Sequence, residues 1–167
     1  IFNIIQERNS YVLRQIKKYK LKSLLDVGCG IGDLCYLAAK DVNLSIGIDY
    51  ADEMIKIAKT KFKKKNLEFL NESIFNFNPK IKFDCVSANG FIEYISLDDI
   101  KVFLKKSNNL LNKNGYLVFG TRNRLFNLFS LNSFSNKELK KKSFKKFYEE
   151  SILLNQNQLK DFIKLKK

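Results

Sequence analysis

The sequence predicts a mixed α/β domain in which helices layer a mostly parallel sheet, and three observations carry that expectation. Short apolar runs alternate along the chain with segments of helical period, the pattern of repeated β-α-β units. The first apolar run enters directly into glycines at alternate positions, Gly28, Gly30 and Gly32. The second run ends in an acid, Asp49, about twenty residues beyond that loop, the spacing at which an α/β nucleotide fold places a ribose-binding carboxylate.

The elements follow in order. Residues 4–19 carry Ile4, Ile5, Tyr11, Val12 and Ile16 at roughly helical spacing, which predicts one amphipathic helix, interrupted near Asn9-Ser10. Leu24-Leu25-Asp26-Val27 is a buried strand, and helix follows from Leu34 to Ala39. Leu44 to Asp49 is the second strand, and Asp52 caps a helix with Met54, Ile55, Ile57 and Ala58 as its apolar positions. Leu67 to Leu70 is a short third strand, and residues 71–81, with the single proline Pro79, form a polar loop. Phe83 to Ala88 is the fourth strand, and a helix starts at Leu97-Asp98-Asp99 and ends near Leu111. Asn112-Lys113-Asn114-Gly115 reads as a turn before a fifth strand, Tyr116 to Gly120. Residues 122–135 have no clean period, while 136–149 and 155–166 read as basic helices.

The chain has 167 residues, which suits one domain, with 1–20 as its leading helix, 21–121 as its core and 122–167 as a helical lid-like segment. At 45% hydrophobic with 15 Phe it can bury a core of its own, which excludes a disordered chain. The net charge of +14 admits an RNA-facing surface, but the lysines are diffuse and read better as solvated faces. The densest stretches, residues 61–65 and 140–146, read as helix faces of that kind. The absence of His excludes a His-ligated metal and His acid–base catalysis, and no metal site is expected. The three cysteines, Cys29, Cys35 and Cys85, have no zinc spacing; Cys29 and Cys85 read as small core fillers. No apolar run reaches the ~18 residues of a membrane span, and a reducing cytoplasm is the default expectation. The chain begins at Ile1 without an initiator Met, which suggests a trimmed or fragmentary sequence.

The strongest chemical signal is Leu24-Leu25-Asp26-Val27-Gly28-Cys29-Gly30-Ile31-Gly32. Glycines after a strand allow a tight turn and let a ligand approach the backbone with no Cβ in the way. The start of the following helix favours an anionic group. The third glycine comes one residue too early for the dinucleotide pattern G-x-G-x-x-G, and the phosphate loop ending in Gly-Lys-Ser/Thr is absent. An NAD-type dehydrogenase is therefore disfavoured.

At these residues the sequence resembles the class I S-adenosylmethionine-dependent methyltransferases, which have a Rossmann-like, doubly wound fold. The resemblance covers about residues 8–125. It rests on the glycine motif, on Gly47-Ile48-Asp49-Tyr50-Ala51-Asp52-Glu53-Met54, on the fourth strand Phe83 to Tyr94, and on Leu110 to Phe119. Asn123-Arg124-Leu125-Phe126-Asn127 is similar to a segment of the branch that includes ubiquinone-pathway O-methyltransferases. The resemblance implies S-adenosylmethionine as cofactor and S-adenosylhomocysteine as product. It implies that Asp26, Gly28, Cys29 and Gly30 line the methionine moiety, with backbone groups taking its amine and carboxylate. Asp49 would accept the ribose hydroxyls, Tyr50 and Met54 would flank the adenine, and Glu72, Ser73 and Ile74 would edge it. Asn89 and Phe91 would lie beside the sulfonium.

Several of these residues also have a plain structural reading. Asp26 could brace the turn, and Tyr50 could be a surface aromatic. Glu93 and Tyr94, candidates for base and aromatic wall, could be a helix cap and a core packer. Asp84, at the start of its strand, reads as structural. In this reaction class the protein mainly aligns the acceptor and excludes water. The Asn/Asp-Pro-Pro-Tyr/Phe signature of one N-methyltransferase branch is missing where Ser87-Ala88-Asn89-Gly90 stands, so O- or C-methylation of a small molecule is expected. The rivals are an RNA methyltransferase and a cofactor-binding module without activity. The family's closing antiparallel strand pair has no match in residues 136–167. The expected sheet is therefore five-stranded in the order 3-2-1-4-5, and C-terminally truncated.

Overall fold

The computed structural model describes residues 4–120, which belong to one compact unit, Ile1–Thr121. The expected 122–167 segment, its two basic helices and the question of a closing strand pair lie outside the described residues, as does the segment from Asn123 to Asn127. The elements run α1 (Ile4–Tyr19), β1 (Ser23–Val27), α2 (Asp33–Ala38), β2 (Leu44–Asp49), α3 (Asp52–Lys61), β3 (Leu67–Asn71) and β4 (Phe83–Asn89). A short 3-10 turn (Ile92–Tyr94), α4 (Leu97–Leu110) and β5 (Leu111–Gly120) complete them.

All four strand pairings are parallel, in the order β3-β2-β1-β4-β5. β1 is central and four of its five residues are fully buried, which is why it reads as a continuous apolar run rather than an alternating one. The alternation still sorts its side chains. Leu25 and Val27 join Ile46, Ile48, Val86, Ala88 and the α4 residues Phe103 and Leu110 on one face. Leu24 joins Val12 and Ile16 of α1, Leu34 and Ala38 of α2, and Cys85 on the other. A third cluster, Cys35, Ile55, Ala58 and Phe69, seats α3 against β3. The chain order reverses between β1 and β4, and in open α/β sheets ligands bind outside the carboxyl ends of the strands at such a reversal.

The structure departs locally from the sequence reading. α1 is one uninterrupted helix through Asn9-Ser10, because burial of Val12 and Ile16 on one stripe outweighs weak local propensity. Residues 112–115 do not precede β5 but bulge within it: Phe83 pairs with Leu111 and Cys85 with Tyr116. Asn114 supplies the left-handed backbone (φ 67°) that the bulge needs. The structural reading of Asp84 is visible there, its carboxylate accepting from Lys22 N and Asn112 Nδ2, both at 2.8 Å. The basic run 61–65 is not a helix face. α3 ends at Lys61, and Phe62 is already extended. Ser96, not Glu93, caps α4, its hydroxyl accepting from Asp99 N at 3.1 Å.

Candidate cofactor site

The carboxyl ends of β1, β2 and β4 bring most of the sequence-predicted residues to one place. The glycine loop leaves β1 with Gly28, Gly30 and Gly32 all at positive φ. Gly32 is required for packing, since a Cβ there would sit 2.4 Å from the Phe69 ring. Gly30 differs: a Cβ there would meet nothing within 4 Å, so the backbone borders open space, as a ligand cradle must.

Asp49, the last residue of β2, is tied to this loop. Its Oδ2 accepts from Gly30 N and its Oδ1 from Ala51 N, each at 2.9 Å. Each oxygen keeps a further lone pair, so the carboxylate is oriented and can still accept from a diol. The backbone below is fastened as well. Glu72 N donates to Asp49 O at 3.0 Å, and Asn71 Nδ2 bridges the carbonyls of Asp49 and Tyr50 at 3.1 and 3.0 Å.

Four of the loop's N–H groups are already engaged. Gly28 and Cys29 donate to Ile48 O at 2.9 and 3.1 Å, Gly30 to Asp49, and Gly32 to Cys29 O at 3.0 Å. The loop's carbonyl oxygens suit an ammonium rather than a carboxylate.

Asp26 lies beneath this surface, 4% exposed, accepting from Ser87 Oγ and from Cys35 Sγ (3.7 Å). Burial pushes its carboxyl up to about 7 against the lowering effect of those two bonds, with the Asp49 charge adding a smaller upward push. Tyr50 (83% exposed) and Met54 stand open beside Asp49. Glu72 and Ser73 are half-buried in the segment after β3, whereas the Ile74 side chain is buried in the core and offers no free edge.

On the other side, Asn89 ends β4 with its Nδ2 buried and without a hydrogen-bond partner among the described residues. Phe91 packs on Phe103 and reaches the Gly28 α-carbon, so that a Cβ at 28 would touch its ring at 3.4 Å. Glu93 is drawn inward by an ion pair with Arg8 at 3.3 Å, while Tyr94 is 78% exposed and packs no core.

The sequence reading missed Arg8. Its guanidinium lies 3.0 Å from where a Cβ of Gly90 would stand and 3.4 Å from that of Gly120, at the ends of β4 and β5. The signal was present: Arg8 shares a helical stripe with the buried Val12 and Ile16, and a charge on the buried stripe of an amphipathic helix needs a reason. Among the described residues no cluster could hold a metal ion, and no helix is long and apolar enough to cross a membrane.

Residues 18–164 match the family model of a methyltransferase domain. The ubiquinone biosynthesis O-methyltransferase of Rhodopseudomonas palustris is 32% identical over 127 residues, covering 75% of this chain and 48% of that protein. The chain spans less than half the length of the curated relatives it matches. An S-adenosylmethionine-dependent methyltransferase from Clostridium acetobutylicum superimposes with a TM-score of 0.65 at 25% identity, covering 74% of this chain and 52% of that one. The N-methyltransferase NodS from Bradyrhizobium japonicum shares the fold, with a TM-score of 0.66 at 20% identity and coverage of 73% and 70%. The parallel sheet, the glycine loop tied to Asp49 and these matches together place the chain in the class I S-adenosylmethionine-dependent methyltransferase family.

Proposed function

We propose that this chain forms the cofactor-binding part of an enzyme that transfers a methyl group from S-adenosylmethionine to an oxygen or carbon of a small molecule. The observation that carries the reading is the Asp49 carboxylate, held by Gly30 N and Ala51 N beside the open backbone of Gly30. A ribose presents two adjacent hydroxyls, and a carboxylate with a free lone pair on each oxygen is the complementary acceptor. Tyr50 and Met54 provide apolar surface for the adenine, with the backbone of 72–74 along its edge. The carbonyls of the glycine loop suit the amine, and Arg8 is the cation available to the carboxylate. Asn89 Nδ2 is a buried donor that a polar ligand atom would satisfy. These features fit the cofactor.

When bound, S-adenosylmethionine supplies an electrophilic methyl group on a sulfonium. The chain's own work is alignment and exclusion of water. Phe91, backed by the buried Phe103, lies on the side of β4 where an acceptor would approach. On this reading Glu93, paired with Arg8, takes the proton from an acceptor hydroxyl. An O-methyltransferase among the relatives supports oxygen as the acceptor atom. An RNA substrate has less support: the densest described lysine cluster, Lys59 and Lys63 to Lys65, flanks the start of β3, at the far end of the sheet from Asp49.

Calorimetry of the full chain with S-adenosylhomocysteine and with NAD tests the reading. Saturable binding of the first and none of the second is expected; the reverse, or no binding of S-adenosylhomocysteine at millimolar concentration, overturns it.

A further inference from the structure

We propose that Cys29 and Cys35 form an oxidisable dithiol site whose intramolecular disulfide closes the glycine loop to the cofactor, an inference that rests on the cofactor reading above. Cys29 lies within the loop, between Gly28 and Gly30, and is half-buried; Cys35 lies in α2 and is buried. Both sulfurs converge on one point. A Cβ at Gly47 would stand 2.8 Å from the Cys29 sulfur and 2.9 Å from the Cys35 sulfur, so the two thiols share the small space left by the missing side chain of β2. Sharing that point, the two sulfurs lie less than about 6 Å apart.

The two thiols are unequal in the way a sensor pair requires. Cys29 is the less buried of the two, its side chain packed against the cluster that holds Cys35. Burial, then the Cys29 sulfur, then the Asp26 charge push the Cys35 thiol well above its ordinary range, so Cys35 does not react first. A hydroperoxide is the co-reactant. The Cys29 thiolate attacks the peroxide oxygen, the O–O bond breaks, and Cys29 becomes a sulfenic acid as an alcohol or water leaves. The Cys35 sulfur then attacks the Cys29 sulfur, the S–OH bond breaks, and the hydroxide departs as water with the Cys35 proton. Asp26 Oδ2, already accepting the Cys35 S–H at 3.7 Å, is placed to relay that proton. Overall two thiols and one hydroperoxide give one disulfide, one water and one alcohol, or a second water from hydrogen peroxide.

Joining the sulfurs draws Cys29 toward α2, and its neighbour Gly30 carries the N–H that orients Asp49. Oxidation therefore disturbs the loop and the ribose-binding carboxylate together. The third thiol, Cys85, is buried and its thiol is pushed up to about 12 by burial, so it stays out of the exchange.

The test treats the full chain with hydrogen peroxide and reads two signals. Trypsin releases residues 23–40, which hold both cysteines and no internal Lys or Arg, as one peptide separate from Cys85. Loss of two hydrogens from that peptide, with S-adenosylhomocysteine affinity falling at least about tenfold and returning with dithiothreitol, is expected. Cys85→Ala should keep the whole response, and Cys35→Ser should bind S-adenosylhomocysteine when reduced yet stop at a dimedone-reactive sulfenic acid. A peptide that only gains oxygen, a disulfide between chains, or a disulfide that leaves binding unchanged overturns the proposal. Failure of the reduced chain to bind S-adenosylhomocysteine removes the cofactor reading instead, and the mass of the peptide still reports whether the dithiol closes.

Discussion

Around Asp49 the candidate site is fastened by backbone N–H groups of neighbouring strand ends and loops: Gly30 and Ala51 to its carboxylate, Glu72 to its carbonyl, and Gly28 and Cys29 to Ile48. Around Glu93 an ion pair with Arg8 joins side chains 85 positions apart, beside an Asn89 Nδ2 that has no partner among the described residues and an outward Tyr94. The first region is fixed by strand geometry and glycine conformation. The second is set by how one helix lies across the strand ends. On the proposed reading the first half holds the cofactor and the second, set by contacts between distant segments, meets the acceptor, a sensible division since binding surfaces vary most where the scaffold constrains them least.

Substitutions in the two regions should behave differently. Gly32→Ala strikes the rigid half hardest, because its Cβ would enter the Phe69 ring at φ 86°. A loss of about 3–4 kcal/mol in urea unfolding is expected from overpacking and left-handed strain together. Gly30→Ala, with open space at its Cβ, should cost only the strain, about 1–2 kcal/mol. Equal costs at the two positions would remove the distinction between a packing glycine and a ligand-facing one. In the other half, Glu93→Gln should leave unfolding nearly unchanged and slow turnover of a hydroxyl acceptor by about a hundredfold, the low end for a general base. Unchanged turnover would leave Glu93 only its pairing with Arg8. Arg8→Ala should weaken S-adenosylhomocysteine about tenfold, as loss of one charge-assisted contact does. A smaller loss for decarboxylated analogues would place the guanidinium at the carboxylate.

A pH slope is expected beneath the rigid half. Asp26 titrates near 7 when folded, against an ordinary carboxyl near 3.8 when unfolded. Between those values the folded chain holds a proton that the unfolded chain has released. Stability from this group is therefore greatest below about pH 4, falls as pH rises, and levels off above 7. The slope is at most about 1.4 kcal/mol per pH unit. Subtracting Asp26→Asn from wild type in urea unfolding at pH 5, 6 and 8 should isolate that slope, and parallel curves would show an ionised Asp26.

The same contrast explains what could be read from the sequence. Leu24 to Gly32 and Leu44 to Asp49 declare themselves because strand, loop and terminal acid are local patterns with fixed spacing, and the family resemblance they carry implied the strand order that the described sheet has. Arg8 went unnoticed because its partners are far along the chain, and only its place on the buried stripe of α1 marked it. Ile74 drew attention by its position in a motif, but its apolar side chain goes to the core beside Phe77 and Val86. The turn expected at 112–115 was recognised by its residues, yet only pairing with β4 shows that the strand continues on both sides of it.

The most direct measurement is the affinity of Asp49→Ala for S-adenosylhomocysteine, set beside its unfolding midpoint. Two hydroxyl contacts to one charged acceptor predict a loss of at least about a hundredfold in affinity, with the chain still folded. Wild-type affinity in a folded Asp49→Ala chain would contradict the placement of the ribose at the end of β2, and with it the account of the site.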